Sequence, residues 1–262
     1  MEKILIIDAG ESTGFRFIKE FSGKYDLTWL DPRSNFYEFI DKINNMPDVY
    51  DYVINNFDIY FFSKNQNLID LNYKVQILID NIFRRARKIL ISSQFVYSSS
   101  EKMKDEASDT DPDTYYGKTK LNAENEVKKT GNYIIFRSGM AYGKCMHNIY
   151  TDILAAIRSG IPMKLNANVY INPTLNQDES TAIEKAIHDT DNEIYNTGSG
   201  DGITMYDFGN LIYRSIKSKN SNFIKIYNDV PLNYRINSGK ICNRYNFKFS
   251  SIGDINFLTF LR

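Results

Sequence analysis

Lys3-Ile4-Leu5-Ile6-Ile7 is apolar at successive positions rather than at alternate ones. A strand with apolar side chains on both faces has to be covered on both faces, as a parallel strand inside an α/β sheet is. The stretch Asp8-Ala9-Gly10-Glu11-Ser12-Thr13-Gly14 follows, and then helix-like sequence from Phe15 to Phe21. Strand, glycine-bearing turn and helix, in that order, form a setting for an anion, because helix N-terminal N–H groups and the helix dipole favour negative charge. The alternation continues along the chain. Asp26 to Leu30 reads as a strand ending in Asp31, Ser34 to Asn45 as a helix, and Tyr52-Val53-Ile54 as a strand. A long helix is expected from Asn67 to Arg87, a strand at Ile89-Leu90-Ile91 running into Ser92-Ser93, a helix from Tyr116 to Lys129 and a strand at Tyr133 to Phe136. Strands alternating with helices predict an α/β fold with a doubly wound parallel sheet.

After Gly143 the pattern loosens. Helices are expected at Ile149 to Arg158, Thr181 to Asp189 and Met205 to Ile216, with a strand at Ile194 to Asn196. The chain of 262 residues suits a nucleotide-binding core over residues 1–143 and a smaller C-terminal lobe over 144–262, with the strand at 193–197 returning to the core sheet. The polar, acidic stretch from Glu101 to Thr114 reads as a solvated loop, with a lid as the alternative.

Basic and acidic residues balance at 32 each, which gives no electrostatic reason for a nucleic-acid partner. Cys145 and Cys242 lie far apart without metal-ligand spacing, and two histidines do not complete a zinc site. Free thiols in a reducing cytoplasm are expected. No charged-then-apolar leader opens the chain and no apolar run reaches the roughly 20 residues of a membrane span, so a cytoplasmic protein with no membrane partner is expected.

Gly10-x3-Gly14, with Thr13 between them, reads as a dinucleotide-binding turn. A third glycine, which lets helix and strand pack closely, is missing: its place falls on Arg16 or Phe17, and Arg16 either meets a phosphate or faces solvent. Asp31 stands 21 positions after Gly10, near the roughly 20 expected of a carboxylate that grips ribose hydroxyls. It favours NAD over NADP by repelling a 2′-phosphate, whereas Arg33 argues for NADP, and Asp31-Pro32 as a simple turn stays open.

Tyr-x3-Lys occurs three times, at Tyr60/Lys64, Tyr116/Lys120 and Tyr213/Lys217. Each pair shares one helix face if helical, and by spacing alone each is a surface ladder. Context separates them. Tyr60 sits in the aromatic run Tyr60-Phe61-Phe62 and Tyr213 in an amphipathic run, so both read as packing. Only Tyr116 follows a strand that ends in Ser-Ser. An unperturbed phenol has a pKa near 10, and a neighbouring ammonium favours its ionised form. Lys120 would make Tyr116 a usable acid or base near neutrality, with Ser93 completing a proton-transfer site around a carbinol carbon.

With these pieces in order, the chain resembles the extended short-chain dehydrogenase/reductase family, in its nucleotide-sugar epimerase, dehydratase and reductase branch. Ser92-Ser93-Gln94-Phe95-Val96-Tyr97 matches Ser-Ser-x-x-Val-Tyr, Tyr116-Gly117-Lys118-Thr119-Lys120 matches Tyr-Gly-Lys-Ser-Lys, and Arg137 to Gly143 resembles Arg-x-x-x-Val-Tyr-Gly. Asn72 falls where the family has an Asn, and Asn196 to Gly200 and Asn237 to Phe247 resemble its late strand and closing segment. The resemblance implies a Rossmann-like core with a small substrate lobe, with Ser93, Tyr116 and Lys120 catalytic. Asn72, Tyr116 and Lys120 are implied to join Gly10, Thr13, Gly14, Asp31 and Arg33 around NAD or NADP, NAD preferred.

The substrate implied is a nucleotide-diphosphate sugar, met by Gln94, Phe95, Met140, Asn172 and Thr174. Gln94 and Phe95 replace the acidic residues of dehydratases, and Met140 stands where epimerases place an Asn. Asn172-Pro173-Thr174 resembles the Pro-Thr turn of 4-keto-sugar reductases, so a reductase is favoured, with a 4-epimerase that retains NAD as the alternative. A strand between Asp31 and Tyr52 is missing relative to the family, and a homodimer through the two long helices is implied. A second class stays open, a Rossmann-like scaffold or redox-sensing protein that no longer catalyses.

Overall fold

In the computed structural model, which describes residues 1–8, 12–32, 35–59, 65–143, 148–216, 223–255 and 257, the first strand, β1 (Lys3–Ile7), is buried from Ile4 to Ile7. Ile4 and Ile6 enter one apolar cluster, Leu5 and Ile7 another. That division is the two-sided burial its continuous apolar run requires. The chain proceeds through α1 (Ser12–Phe21), β2 (Asp26–Leu30), α2 (Phe36–Asn44), β3 (Tyr52–Asn55), α3 (Gln66–Ile69), α4 (Leu71–Ile82), β4 (Arg87–Ser93), α5 (Tyr115–Lys128) and β5 (Tyr133–Ser138). Then come β6 (Met140–Tyr142), α6 (Ile149–Ser159), β7 (Met163–Asn166), β8 (Val169–Ile171), β9 (Pro173–Leu175), α7 (Asn176–Ala186), β10 (Glu193–Thr197), β11 (Ile203–Thr204), α8 (Met205–Ser215), β12 (Phe223–Ile226), β13 (Leu232–Asn233) and α9 (Gly239–Tyr245).

Six parallel strands form the central sheet in the order β10-β5-β4-β3-β1-β2. Side chains of α1, α7 and α9 cover one face; α2 and α4 cover the other, and α5 joins them beside β4 and β5. The fold is therefore a Rossmann-like α/β sheet, as the alternation predicts. Between Asp31 and Tyr52 the described residues contain a helix and no strand, which leaves β2 as the sheet edge. A further cluster joins α6 and α8 to Phe95 and Tyr116, so the C-terminal part of the chain packs against the residues singled out as reactive. No helix among the described residues is long and apolar enough to cross a membrane.

Two expectations are corrected. The long helix expected over Asn67 to Arg87 divides into α3 and α4 and stops at Ile82, because Arg87 is already paired in the sheet through its backbone N–H to Asp51. Phe83 and Ala86 prolong the apolar periodicity but are buried under the sheet rather than on a helix. The helix expected at Thr181 to Asp189 instead spans Asn176 to Ala186, its first turn masked in sequence by polar residues. The Glu101–Thr114 stretch is a loop, yet it is pinned: Lys104 bridges to Ile236, and Glu106 accepts the Asn196 N–H at 2.7 Å.

One buried ion pair ties these layers together. Glu124 on α5, with no exposed side-chain surface, receives two guanidinium nitrogens of Arg137 on β5, Nε at 3.0 Å and Nη2 at 2.7 Å. It also accepts the Ser92 hydroxyl at 2.6 Å, while Arg137 donates to the Tyr97 hydroxyl at 2.7 Å. Removing one member of such a pair strands a buried charge. Glu124→Ala is expected to lower unfolding free energy by about 3–5 kcal/mol, read as a fall in the urea midpoint.

Candidate active site

A cleft opens at the C-terminal ends of β1, β3, β4 and β5, where open α/β sheets bind ligands. Ser93, Tyr116 and Lys120 all line it. Ser93 leaves the sheet in extended conformation and caps a short helical turn, its Oγ accepting the Phe95 N–H at 3.3 Å. Thr114 caps α5 by accepting the Gly117 N–H, which sets Tyr116 in the first turn. Helical spacing then places Lys120 one turn further on the buried face, followed by Ala123, Glu124 and Val127. Gly117 is what allows the approach: a Cβ there would lie 2.0 Å from the Phe95 carbonyl oxygen.

A carboxylate that sequence reading did not single out sits between the two. Asp58, three residues beyond the end of β3, accepts the Tyr116 hydroxyl at 3.0 Å through Oδ2. Its Oδ1 lies 3.8 Å from Lys120 Nζ, which also donates to the Phe57 carbonyl at 3.4 Å. Asp8, Glu179, Ser138 and Asn148 line the cleft too and were likewise missed. The signal that finds them is positional: Asp8, Asp58 and Ser138 stand at or just beyond the C-terminal ends of sheet strands.

The turn after β1 begins at Asp8, and residues 9–11 lie outside the described residues. The left-handed backbone falls on Asp8, at φ 65°, and not on a described glycine. Asp8 is buried, its carbonyl accepts from Asn56 at 3.1 Å, and its N–H donates to the Leu30 carbonyl at 2.8 Å. Gly10 and Arg33 lie outside the described residues. Thr13 and Gly14 sit buried in the first turn of α1, and the Thr13 hydroxyl donates to Glu179 on α7. Arg16 neither faces solvent nor lines the cleft; it is buried, with Nε donating to Asn176 at 3.3 Å. Asp31 is exposed just beyond β2, next to the Leu30 that Asp8 holds.

Phe95 and Met140 line the cleft, whereas Asn72, Gln94, Asn172 and Thr174 do not. These four are buried braces. Asn72 holds both backbone groups of Ile59 and donates to Thr119 at 3.3 Å. Gln94 accepts the Asn172 N–H at 3.3 Å, and the Asn172 side chain links Ser199 to Ile236. Thr174 donates to the Asn172 carbonyl at 3.2 Å, directly beneath Gly139, where a Cβ would meet that carbonyl at 2.3 Å. Most of their polar atoms are used within the fold, while Gln94 Nε2 is buried with no hydrogen-bond partner among the described residues.

The chemistry of the cleft suits a hydroxyl-rich ligand. Asp58 Oδ1 is buried and accepts no hydrogen bond among the described residues, although an ammonium stands beside it. Such an oxygen can take the hydroxyl of a ribose or a sugar, and Lys120 is placed to share the same ligand. No cluster of His, Cys, Asp and Glu able to hold a metal ion occurs among the described residues.

The family model described as RmlD substrate binding domain matches residues 83–231, more than half of the chain. The chain belongs to this family. The match takes in Ser93, Tyr116 and Lys120 and leaves out the turn after β1. Among solved structures, dTDP-4-dehydrorhamnose reductase from Clostridium acetobutylicum is similar, with a TM-score of 0.82, 19% identity and 99% of each chain covered. The Bacillus anthracis dTDP-4-dehydrorhamnose reductase, solved in complex with NADP, gives 0.82 at 17% identity over 99% of this chain and 98% of that one. ADP-L-glycero-D-manno-heptose-6-epimerase from Helicobacter pylori gives 0.80 at 17% identity over 99% and 95%. These likenesses establish the shared fold. No curated protein sequence matches the chain.

Two outcomes follow for members of this cleft. Gly117→Ala should cost about 1–3 kcal/mol by forcing α5 away from the Phe95 carbonyl, seen as a lowered thermal midpoint. Burial holds the Glu179 carboxyl above its ordinary 4.5, against the opposing hydrogen bonds of Ser138, Thr13 and Thr197 and the charge of Lys120. The folded protein therefore binds this proton more tightly than the unfolded chain, and the stability it contributes is lost as pH rises above about 4.5. Glu179→Gln removes that dependence, so the urea midpoint of the variant relative to wild type should rise as the pH is raised above about 4.5.

Proposed function

We propose that this protein is an NAD(P)-dependent oxidoreductase that reduces the carbonyl group of a nucleotide-linked keto sugar, with Tyr116 as the proton donor. The observation that carries the proposal is the meeting of Ser93, Tyr116 and Lys120 in one cleft at the strand ends, delivered by β4 and α5. Membership of the RmlD substrate binding domain family supports the substrate class. When bound, the reduced nicotinamide supplies the hydride. The chain's own residues do the rest. Ser93 Oγ positions the carbonyl oxygen, Tyr116 Oη gives it a proton, and Lys120 holds ribose hydroxyls and keeps positive charge near the phenol. Phe95 and Met140 form an apolar wall that excludes water around the reacting carbon. Asp31, beside the turn after β1, favours NAD because a 2′-phosphate would meet its charge. A homodimer through α4 and α5, which pack on each other, belongs to the same proposal.

The test begins with fluorescence titrations of the purified protein with NADH and with NADPH. Micromolar binding with NADH the tighter supports the proposal; no binding of either by folded protein free of retained cofactor would replace it with a non-catalytic role. Tyr116→Phe should then lower turnover of a keto-sugar nucleotide by about 10²–10⁴-fold while NADH binding persists. Near-wild-type turnover would remove Tyr116 from the role.

A further inference from the structure

We propose that Asp58 is a positioning residue that holds the Tyr116 hydroxyl as a hydrogen-bond donor and thereby biases the site toward giving a proton rather than taking one. This rests on the function proposed above and deepens it, since it concerns the direction of the reaction.

The loop that carries Asp58 is fixed on both sides. The Phe57 N–H donates to Asn55 Oδ1 at 3.0 Å, and the Ile59 N–H donates to Asn72 Oδ1 at 2.7 Å. Between these anchors the Asp58 carboxylate reaches Tyr116 Oη at 3.0 Å and stands 3.8 Å from Lys120 Nζ. The lysine side chain is 3% exposed and that of Asp58 47% exposed, so the carboxylate joins the buried pair to solvent.

Lys120 and Asp58 act on the phenol in opposite senses. An ammonium favours phenolate, whereas a carboxylate that accepts the O–H favours the neutral phenol. Among the described residues, the other charged groups facing the cleft are Asp8, beyond β1, and Glu179, on α7, and any charge they carry adds to the effect of Asp58. The site as built therefore keeps the proton on Tyr116.

Carbonyl reduction needs that state. The carbon gains hydride from a reduced nicotinamide dinucleotide, which is oxidised, and the carbonyl π pair moves onto oxygen. The Tyr116 O–H bond breaks as its proton passes to that oxygen. The phenolate left beside Asp58 is disfavoured and regains a proton from water at the exposed side of the carboxylate. Alcohol oxidation, the opening step of an epimerisation, needs phenolate first, and Asp58 opposes its formation.

The experiment is carbon NMR of the protein with tyrosine labelled at Cζ, the Tyr116 resonance being assigned by its loss in Tyr116→Phe. Asp58→Asn should lower the Tyr116 titration midpoint by about one pH unit or more. Asp58→Glu, which keeps the charge, should leave it at the wild-type value. An unchanged midpoint in Asp58→Asn, or an equal fall in Asp58→Glu, would overturn the proposal. If Asp58→Asn does not fold, Asp58→Ser serves as the neutral variant with the same expected shift. NADH titrations on the same samples separate the two levels. Loss of NADH and NADPH binding in wild type would defeat the proposed function, while the tyrosine shift would still report whether Asp58 holds the phenol.

Discussion

The ion pair between Glu124 and Arg137 is the constraint on which the site depends. It joins α5 to β5, takes in the Ser92 hydroxyl from β4, and is buried, which limits replacement of its partners by water. A pair of this kind contributes little net stability, because desolvation offsets much of the attraction. Its value lies in geometry. Ser92 is the residue before Ser93, and Glu124 lies one turn beyond Lys120 on the same helix. The pair therefore sets the height and rotation of α5 against the end of β4, and with them the placing of Tyr116 and Lys120 relative to Ser93. The Tyr97 hydroxyl bridges Arg137 to Asn196 at 2.9 Å and carries the same constraint to β10.

Seen this way, the elements that sequence reading recovers are those whose signal is local. The apolar run of β1, the spacing of Tyr116 and Lys120, and the strand that ends in Ser93 each report a neighbourhood of a few residues, and each stands where expected. What sequence could not show depends on residues far apart. Asn172 and Thr174 are polar in a loop-like stretch, and only tertiary packing reveals that their polar atoms are consumed by Gln94, Ser199, Ile236 and backbone carbonyls. Glycines are visible in sequence, but a left-handed backbone at Asp8 is not, and Asp is among the few non-glycine types that accept it. Asp58 escaped notice because it has no spacing relation to Tyr116; the fold alone brings them together across 58 positions.

The cleft is also more acidic than its proposed ligand would suggest. Among the described residues, Asp8, Asp58 and Glu179 line it, with the ammonium of Lys120. A dinucleotide brings negative charge of its own, so charge balance depends on how many of these carboxyls keep their protons. Burial moves Glu179 in that direction, raising its pKa against the hydrogen bonds of Thr13, Ser138 and Thr197. The site therefore combines a phenol hydrogen-bonded to a neighbouring carboxylate with a buried carboxyl whose pKa is raised by burial.

The packing of α7 against α1 has a consequence for how the chain reaches this structure. Thr13 meets Glu179 across 166 positions and Arg16 meets Asn176 across 160, while Phe17 and Phe21 are covered by Ala182 and Ile183. The cover on this face of the sheet is thus delivered in part by the second half of the chain. During synthesis, the apolar face of the first helix has no cover until α7 emerges. Contacts of such long range slow folding, since loop closure must come before any of them forms. Residues 1–143 are for this reason an unfinished sheet with an open face, and the order of synthesis leaves that face exposed for as long as it takes to make α7.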